Sequence, residues 1–147
     1  MDYRTYEPLL LDAGSLERLK GDDYRRFLCD AAIASGVRLL LARSKLRADW
    51  PYIDTKFNPN TGADLPAASY NTVFTWFLGR GSQALDAHLP WIDRLEDLSA
   101  DEKQEAKDLF TRLIARMTDD ILVLTEKNNG RCPFRVNRDL EAVNDAG

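Results

Sequence analysis

Between Ala48 and Ser69 the chain carries three of its six prolines, Pro51, Pro59 and Pro66, together with the run Asn58-Pro59-Asn60-Thr61-Gly62. Proline has no backbone N–H to donate and clashes with the preceding turn, and Asn-Pro and Asn-x-Gly steps favour turns. No regular helix crosses such a stretch, so the chain is divided into helical patterns before and after it. At about twenty residues the segment is too long for a simple connector. Trp50, Tyr52, Ile53 and Phe57 make it unusually apolar. The expectation is an ordered aromatic loop at about 48–70.

Upstream, Asp22 or Asp23 suits the cap of a long helix running towards Lys45, with Tyr24, Phe27, Leu28, Ala31, Val37, Leu40 and Leu41 near one stripe. Arg38, Arg43, Lys45 and Arg47 place positive charge towards its C-terminus, where the helix dipole favours it. Gly36 weakens the middle of this helix and offers a place for close packing. Before it, residues 1 to 14 read as irregular, with Pro8-Leu9-Leu10-Leu11 able to pack, and Ser15 to Leu19 as a short helical turn.

A second helix is predicted from Asn71 or Thr72 to just before Pro90. Its apolar residues Val73, Phe74, Trp76, Phe77, Leu78, Ala84, Leu85 and Leu89 exceed one stripe, so burial on more than one side is expected. Ser99 followed three residues later by Glu102 is a capping-box signature. Ala106, Leu109, Leu113, Met117, Ile121 and Leu124 carry a third helix from there to the stop signal Asn128-Asn129-Gly130. Phe134-Arg135-Val136 is the one hint of a strand. The reading is an all-α chain, residues 1–147 forming a single helical domain, whose broad apolar second helix calls for a partner, an oligomer or a missing partner domain.

Twenty Lys and Arg against twenty-four Asp and Glu give a net charge of −4, which argues against broad binding to nucleic acid or an anionic membrane. No apolar run approaches the roughly 20 residues of a membrane span. The start, Met1-Asp2-Tyr3-Arg4, lacks the basic and apolar regions of a signal peptide, so the cytoplasm is the default compartment. Cys29 and Cys132 are too few for a disulfide framework; Cys29 is expected in the core of its helix and Cys132 as a loop thiol. With one histidine no Cys/His zinc set can form. Phosphate-binding loops, dinucleotide fingerprints and nucleophile elbows are missing, and neither metal nor cofactor is expected.

The segment most suggestive of chemistry is Tyr70 to Gly81, in which Arg80 stands between Gly79 and Gly81 at the end of an aromatic run. Each glycine costs a helix about 1 kcal/mol relative to alanine. One reading has the glycines admitting a ligand or another helix while Arg80 offers its fork of donors. The other has Arg80 paired with an internal carboxylate and the glycines serving helix packing. His88 can act as acid or base near neutrality, but a helix-end histidine bonded to a carbonyl or packed on Trp91 is the simpler expectation. Asp54, Asp64, Asp86 and Asp93 form no recognised constellation, and Asp119-Asp120 reads as a solvated face.

Residues 70 to 85, with His88 and Trp91 beyond them and Tyr52 to Gly62 before, resemble the N-acylglucosamine 2-epimerase family, which includes cellobiose 2-epimerases and sugar isomerases. The resemblance covers roughly residues 22 to 91. It implies helical hairpins forming part of an (α/α)6 barrel with a sugar in the central cavity, and proton transfer beside the carbonyl by a pair of histidines. Those histidines lie on later helices that this chain does not have. The resemblance carries over only Arg80, as a substrate contact with its aromatic neighbours, which makes Trp76, Tyr70 and Trp50 further sugar-binding candidates; His88 matches neither family histidine and stands as a candidate acid or base on its residue type alone. The resemblance implies an epimerase-like protein that binds a carbohydrate and is incomplete for catalysis, as an amino-terminal portion of a barrel or a shortened relative. The alternative is a non-catalytic helical interaction module or carbohydrate-binding protein.

Overall fold

The computed structural model of the chain describes residues 22–58 and 61–143, with side chains from residue 29 onward. The irregular start expected over residues 1 to 14, the turn at 15–19, the side chains of Tyr24, Phe27 and Leu28, and Pro59 and Asn60 of the turn cluster lie outside these residues. The described chain is mainly helical. Helix α1 spans Asp22–Leu46, a short 3-10 turn Ala67–Asn71, strand β1 Val73–Phe74, helix α2 Thr75–Ile92, helix α3 Ala100–Lys127 and strand β2 Arg135–Val136. The strands form one small antiparallel pair, Val73 opposite Val136 and Phe74 opposite Arg135, so the hint of a strand at Phe134 to Val136 acquires a partner. Among the described residues no helix is long and apolar enough to cross a membrane.

Helix α3 is bounded as its sequence predicts. The Ser99 hydroxyl accepts from the Glu102 N–H and the Glu102 carboxylate accepts from the Ser99 N–H, closing the capping box. Arg38 of α1 also donates to Glu102, and this bond leads the interactions that hold the Glu102 carboxyl down at about 2. At the other end Asn129 and Gly130 both take left-handed backbone, with φ of 52° and 81°. The buried positions Ala106, Phe110, Leu113, Met117 and Leu124 follow helical spacing.

Helix α2 lies antiparallel to α3. Gly79 faces Ile121 and Gly81 faces Met117, so the numbering rises on one helix as it falls on the other. The short connection, residues 93–99, makes this the natural arrangement, and Leu95 and Leu98 within it are buried. At Gly81 the neighbouring side chains leave little room for a side chain. A Cβ there would lie 3.1 Å from Ile53 Cδ1 and 3.2 Å from Met117 Sδ. Leu78, Leu85 and Ile92 continue the same stripe, and Ala34, Val37 and Leu41 of α1 join the core.

Several expectations are corrected. Helix α2 starts at Thr75 rather than at Asn71 or Thr72, because Val73 and Phe74 pair with β2, and it runs through Pro90 to Ile92. A proline in the last turn loses one N–H bond, and the fully buried Ile92 anchors the turn beyond it. Burial on several sides is not found. One stripe of α2 is buried, while Phe74 and Trp76 at its start and Trp91 near its end are exposed. Gly36 serves no close packing, since nothing lies within 4 Å of a Cβ placed there. Cys29 is exposed rather than in the core, and Cys132 is exposed; both are free thiols.

Gly81 and Gly36 should therefore respond oppositely to added bulk. Gly81→Val overpacks the α2–α3 contact and is expected to cost about 1–3 kcal/mol. Gly36→Ala fills open space on an exposed helix face and is expected to stabilise by about 1 kcal/mol. Urea unfolding of the two variants checks both signs.

Candidate functional site

The aromatic loop is fixed from beneath by a buried ion pair. Arg43, three residues from the end of α1, is 1% exposed. Its Nε donates to Asp54 Oδ2 at 2.7 Å, its Nη2 donates to the same oxygen, and its Nη1 donates to Asp64 Oδ1 at 2.6 Å. Asp54 is also buried, and it accepts from the Lys56 backbone N–H at 2.9 Å and lies within hydrogen-bond reach of the Tyr70 hydroxyl. A guanidinium and a carboxylate withdrawn from water are tolerated when their donors and acceptors are filled. Here one helix, two points of the loop and the 3-10 turn fill them. Burial, followed by the Asp54 charge, raises the Tyr70 hydroxyl above the ordinary tyrosine value.

A second buried polar contact ties the loop to α3. Tyr52 donates to Asp120 Oδ2 at 2.6 Å, and Arg116 donates to the same oxygen at 2.8 Å. Asp120 is 6% exposed, so it is not the solvated carboxylate expected of the Asp119-Asp120 pair. Burial first, and the Asp120 bond second, push the Tyr52 hydroxyl up to about 12. The rings of Trp50 and Tyr52 meet edge to face at 5.3 Å, as do those of Trp50 and Tyr70 at 5.2 Å.

With its polar groups turned inward, the loop presents a groove towards the start of α2. The groove has a volume of about 250 Å³ and runs between Trp50, Tyr52, Ile53, Thr55 and Lys56 on the loop and Thr72, Val73, Phe74, Trp76 and Phe77 on the facing wall. Asp54, between two lining residues, points away into the Arg43 pair, so among the described residues no carboxylate lines the groove and Lys56 is the one cation in its lining. The ammonium donates to the Thr72 carbonyl at 2.9 Å and lies 5.2 Å from the centre of the Trp50 ring, and loss of water around it lowers its pKa. Arg138 lies 5.7 Å from the same ring. On the rim, Trp76 is 54% exposed and Phe74 meets Phe134 edge to face at 5.7 Å. The helix begins at this wall with no side-chain cap and no acidic residue in its first turn.

The residues singled out from sequence are brought together in part. Trp50 and Trp76 line the same groove, although Trp50 is largely covered by its neighbours and by Lys56 and Arg138. Tyr70 is packed behind Trp50, with its hydroxyl held among Arg43, Asp54 and the Lys56 carbonyl. Arg80 is exposed and makes no ion pair among the described residues; it stands one turn from Trp76 and outside the groove lining. Its neighbour Gly81 serves helix packing. His88 donates through Nδ1 to the Ala84 carbonyl at 2.6 Å and is exposed, also away from the groove. Sequence reasoning missed Lys56, Thr55 and Thr72 on the groove and the Arg43–Asp54–Asp64 cluster beneath it. No local pattern marked this cluster, because its members meet only through the path of the loop.

Two measurements test this foundation. Arg43→Met leaves Asp54 buried without its cation and is expected to cost about 3–5 kcal/mol, whereas Asp64→Asn, at the partly exposed end of the cluster, is expected to cost less than about 1 kcal/mol; denaturant titration distinguishes them. The pH dependence has a defined sign. Tyr52 ionises near 10 when unfolded and near 12 when folded, so the stability it contributes is complete below pH 10 and is lost as pH rises towards 12. Unfolding free energies followed from pH 9 to 12 should fall, and fall less in Tyr52→Phe.

A comparison with protein-family models finds no match for this sequence, and comparisons with curated proteins and with solved structures find none either.

Proposed function

We propose that this chain is a carbohydrate-binding protein related to the N-acylglucosamine 2-epimerase family, and that it binds a sugar in the aromatic groove between the loop and α2. The observation that carries the reading is the groove itself: aromatic walls including Trp76 and Phe74, with Lys56, Thr55 and Thr72 as the polar complement. A pyranose has apolar C–H faces that stack on aromatic rings and hydroxyls that need a few fixed partners, which is this division of surface. At about 250 Å³ the space suits one sugar ring better than a drug-sized ligand.

The reading favours binding over turnover. Among the described residues the titratable groups lining the groove are Lys56 and Tyr52. Tyr52 is committed to Asp120 and resists ionisation to about 12, so it is a poor base at neutral pH. Moving a proton off and back onto a sugar carbon takes a matched acid and base, and His88 stands elsewhere. In the same reading, α2 and α3 form one hairpin of an (α/α)6 barrel. Their antiparallel packing and the apolar residues left exposed along α2 support it. A second reading, a helical interaction module, is favoured by Phe134, which is 65% exposed beside Phe74.

The test is a titration of the chain with N-acetylmannosamine, mannose and cellobiose, followed by amide NMR shifts and tryptophan fluorescence. Shifts confined to residues 50–56 and 72–77 are expected, with affinity reduced about tenfold or more in Trp76→Ala. Absence of any shift at the groove with all three sugars, combined with concentration-dependent self-association lost in Phe134→Ser, would sink the sugar reading in favour of the interaction module.

A further inference from the structure

Resting on the sugar-binding reading, we infer that the groove selects an anionic sugar: a single ring bearing a carboxylate or phosphate that pairs with the Lys56 ammonium. The charge distribution around the groove carries this. Among the described residues Lys56 is the one charged group lining the groove of about 250 Å³, and no carboxylate shares that lining. The nearby acids are engaged elsewhere. Asp54 is taken by Arg43, Asp120 by Tyr52 and Arg116, and Asp49 lies in ion-pair range of Arg47 and Arg138. The basic groups extend around the aromatic walls: Arg138 lies over Trp50, Arg116 over Tyr52 and Arg135 over Phe74. Arg116 and Arg138 are themselves paired, with Asp120 and Asp49, so they offset those acids, and the Lys56 ammonium is the charge that faces the recess.

The chemistry of Lys56 gives that field a focus. An ammonium has three N–H donors, of which one is needed for the Thr72 carbonyl. The ammonium itself lies over the Trp50 ring, 5.2 Å from its centre, in a partly dehydrated place where an opposite charge is attracted more strongly than in water. A neutral sugar can replace some of the water lost around the ammonium. An anionic group also adds a counter-charge on the groove side, where Asp54 acts on the ammonium only from behind, and does so through a charge-assisted hydrogen bond roughly twice as strong as a neutral one. The exposed ring of Trp76 then remains for the sugar face.

The experiment compares matched neutral and anionic probes on the full chain by calorimetry and amide NMR at low and high salt: glucose against glucuronate and glucose 6-phosphate, and N-acetylmannosamine against N-acetylneuraminate. The expected result is about tenfold or tighter binding of the anionic member at low salt, narrowing at high salt. That preference should disappear in Lys56→Met and be largely restored in Lys56→Arg, with both spectra still dispersed. Preference for glucuronate over glucose 6-phosphate, or the reverse, identifies the carboxylate or the phosphate as the recognised group and supports the inference either way. Equal affinity for neutral and anionic members would overturn it while leaving sugar binding intact. Benzoate and inorganic phosphate binding as tightly as the sugar acids would overturn sugar recognition while leaving an anion site at Lys56. No binding by any probe would overturn both.

Discussion

The structure depends on how the Arg43 guanidinium is satisfied where water does not reach it. An arginine does not shed its charge at any ordinary pH, so burying one commits the fold to surrounding it with acceptors. Asp54 and Asp64 do this from positions 11 and 21 residues further along the chain. Such a cluster is not in itself a source of stability, for well-packed apolar residues of the same volume often serve as well. Its effect is on specificity: the loop has one register in which Asp54 meets Arg43, and in that register Tyr70 and the Lys56 backbone also find partners.

From that register the groove follows. Residues 53–56 are drawn across the end of α1 with Asp54 facing in, leaving Ile53, Thr55 and Lys56 to line the space opposite α2. Ile53 also reaches the Gly81 position, where the absence of a side chain lets loop, α2 and α3 converge. The same carboxylate that neutralises Arg43 is therefore withheld from the groove, and Lys56 is left as its cation. The buried ion pair below and the cationic lining above are two consequences of one placement.

The legible part of the sequence was the part governed by local rules. Ser99 with Glu102, and Asn129 with Gly130, bound α3 because capping chemistry operates within a few residues. The prolines excluded helix from the loop for the same reason. Asp120 shows where a local rule was present but passed over: Ala106, Phe110, Leu113, Met117 and Leu124 mark the buried stripe, and Asp120 falls on it between Met117 and Leu124. A carboxylate at such a position needs a buried donor, which Tyr52 provides from 68 residues away. Arg43, Asp54 and Asp64 had no comparable signature, since their meeting depends on the path of a loop. The excess apolar residues of α2 were legible as an excess, but not as exposed rather than buried, because periodicity reports which residues share a face and not what that face meets.

That excess bears on why the groove and its rim have the composition they do. Helix α2 holds its place through one narrow stripe, Leu78, Gly81, Leu85 and Ile92, and its packing needs nothing from Trp76 or Phe74. Large exposed aromatics gain little for folding, and gathered beside an apolar recess they raise the tendency to associate. A chain whose core is already filled by Phe110, Leu113, Met117 and Leu124 has no stability reason to place Trp76, Phe74 and Phe134 within one exposed area. Folding alone does not account for these rings, which is why we propose that they meet a ligand or partner surface, and Lys56, lining the recess beside Phe74 and Trp76, is why we propose that this surface carries negative charge.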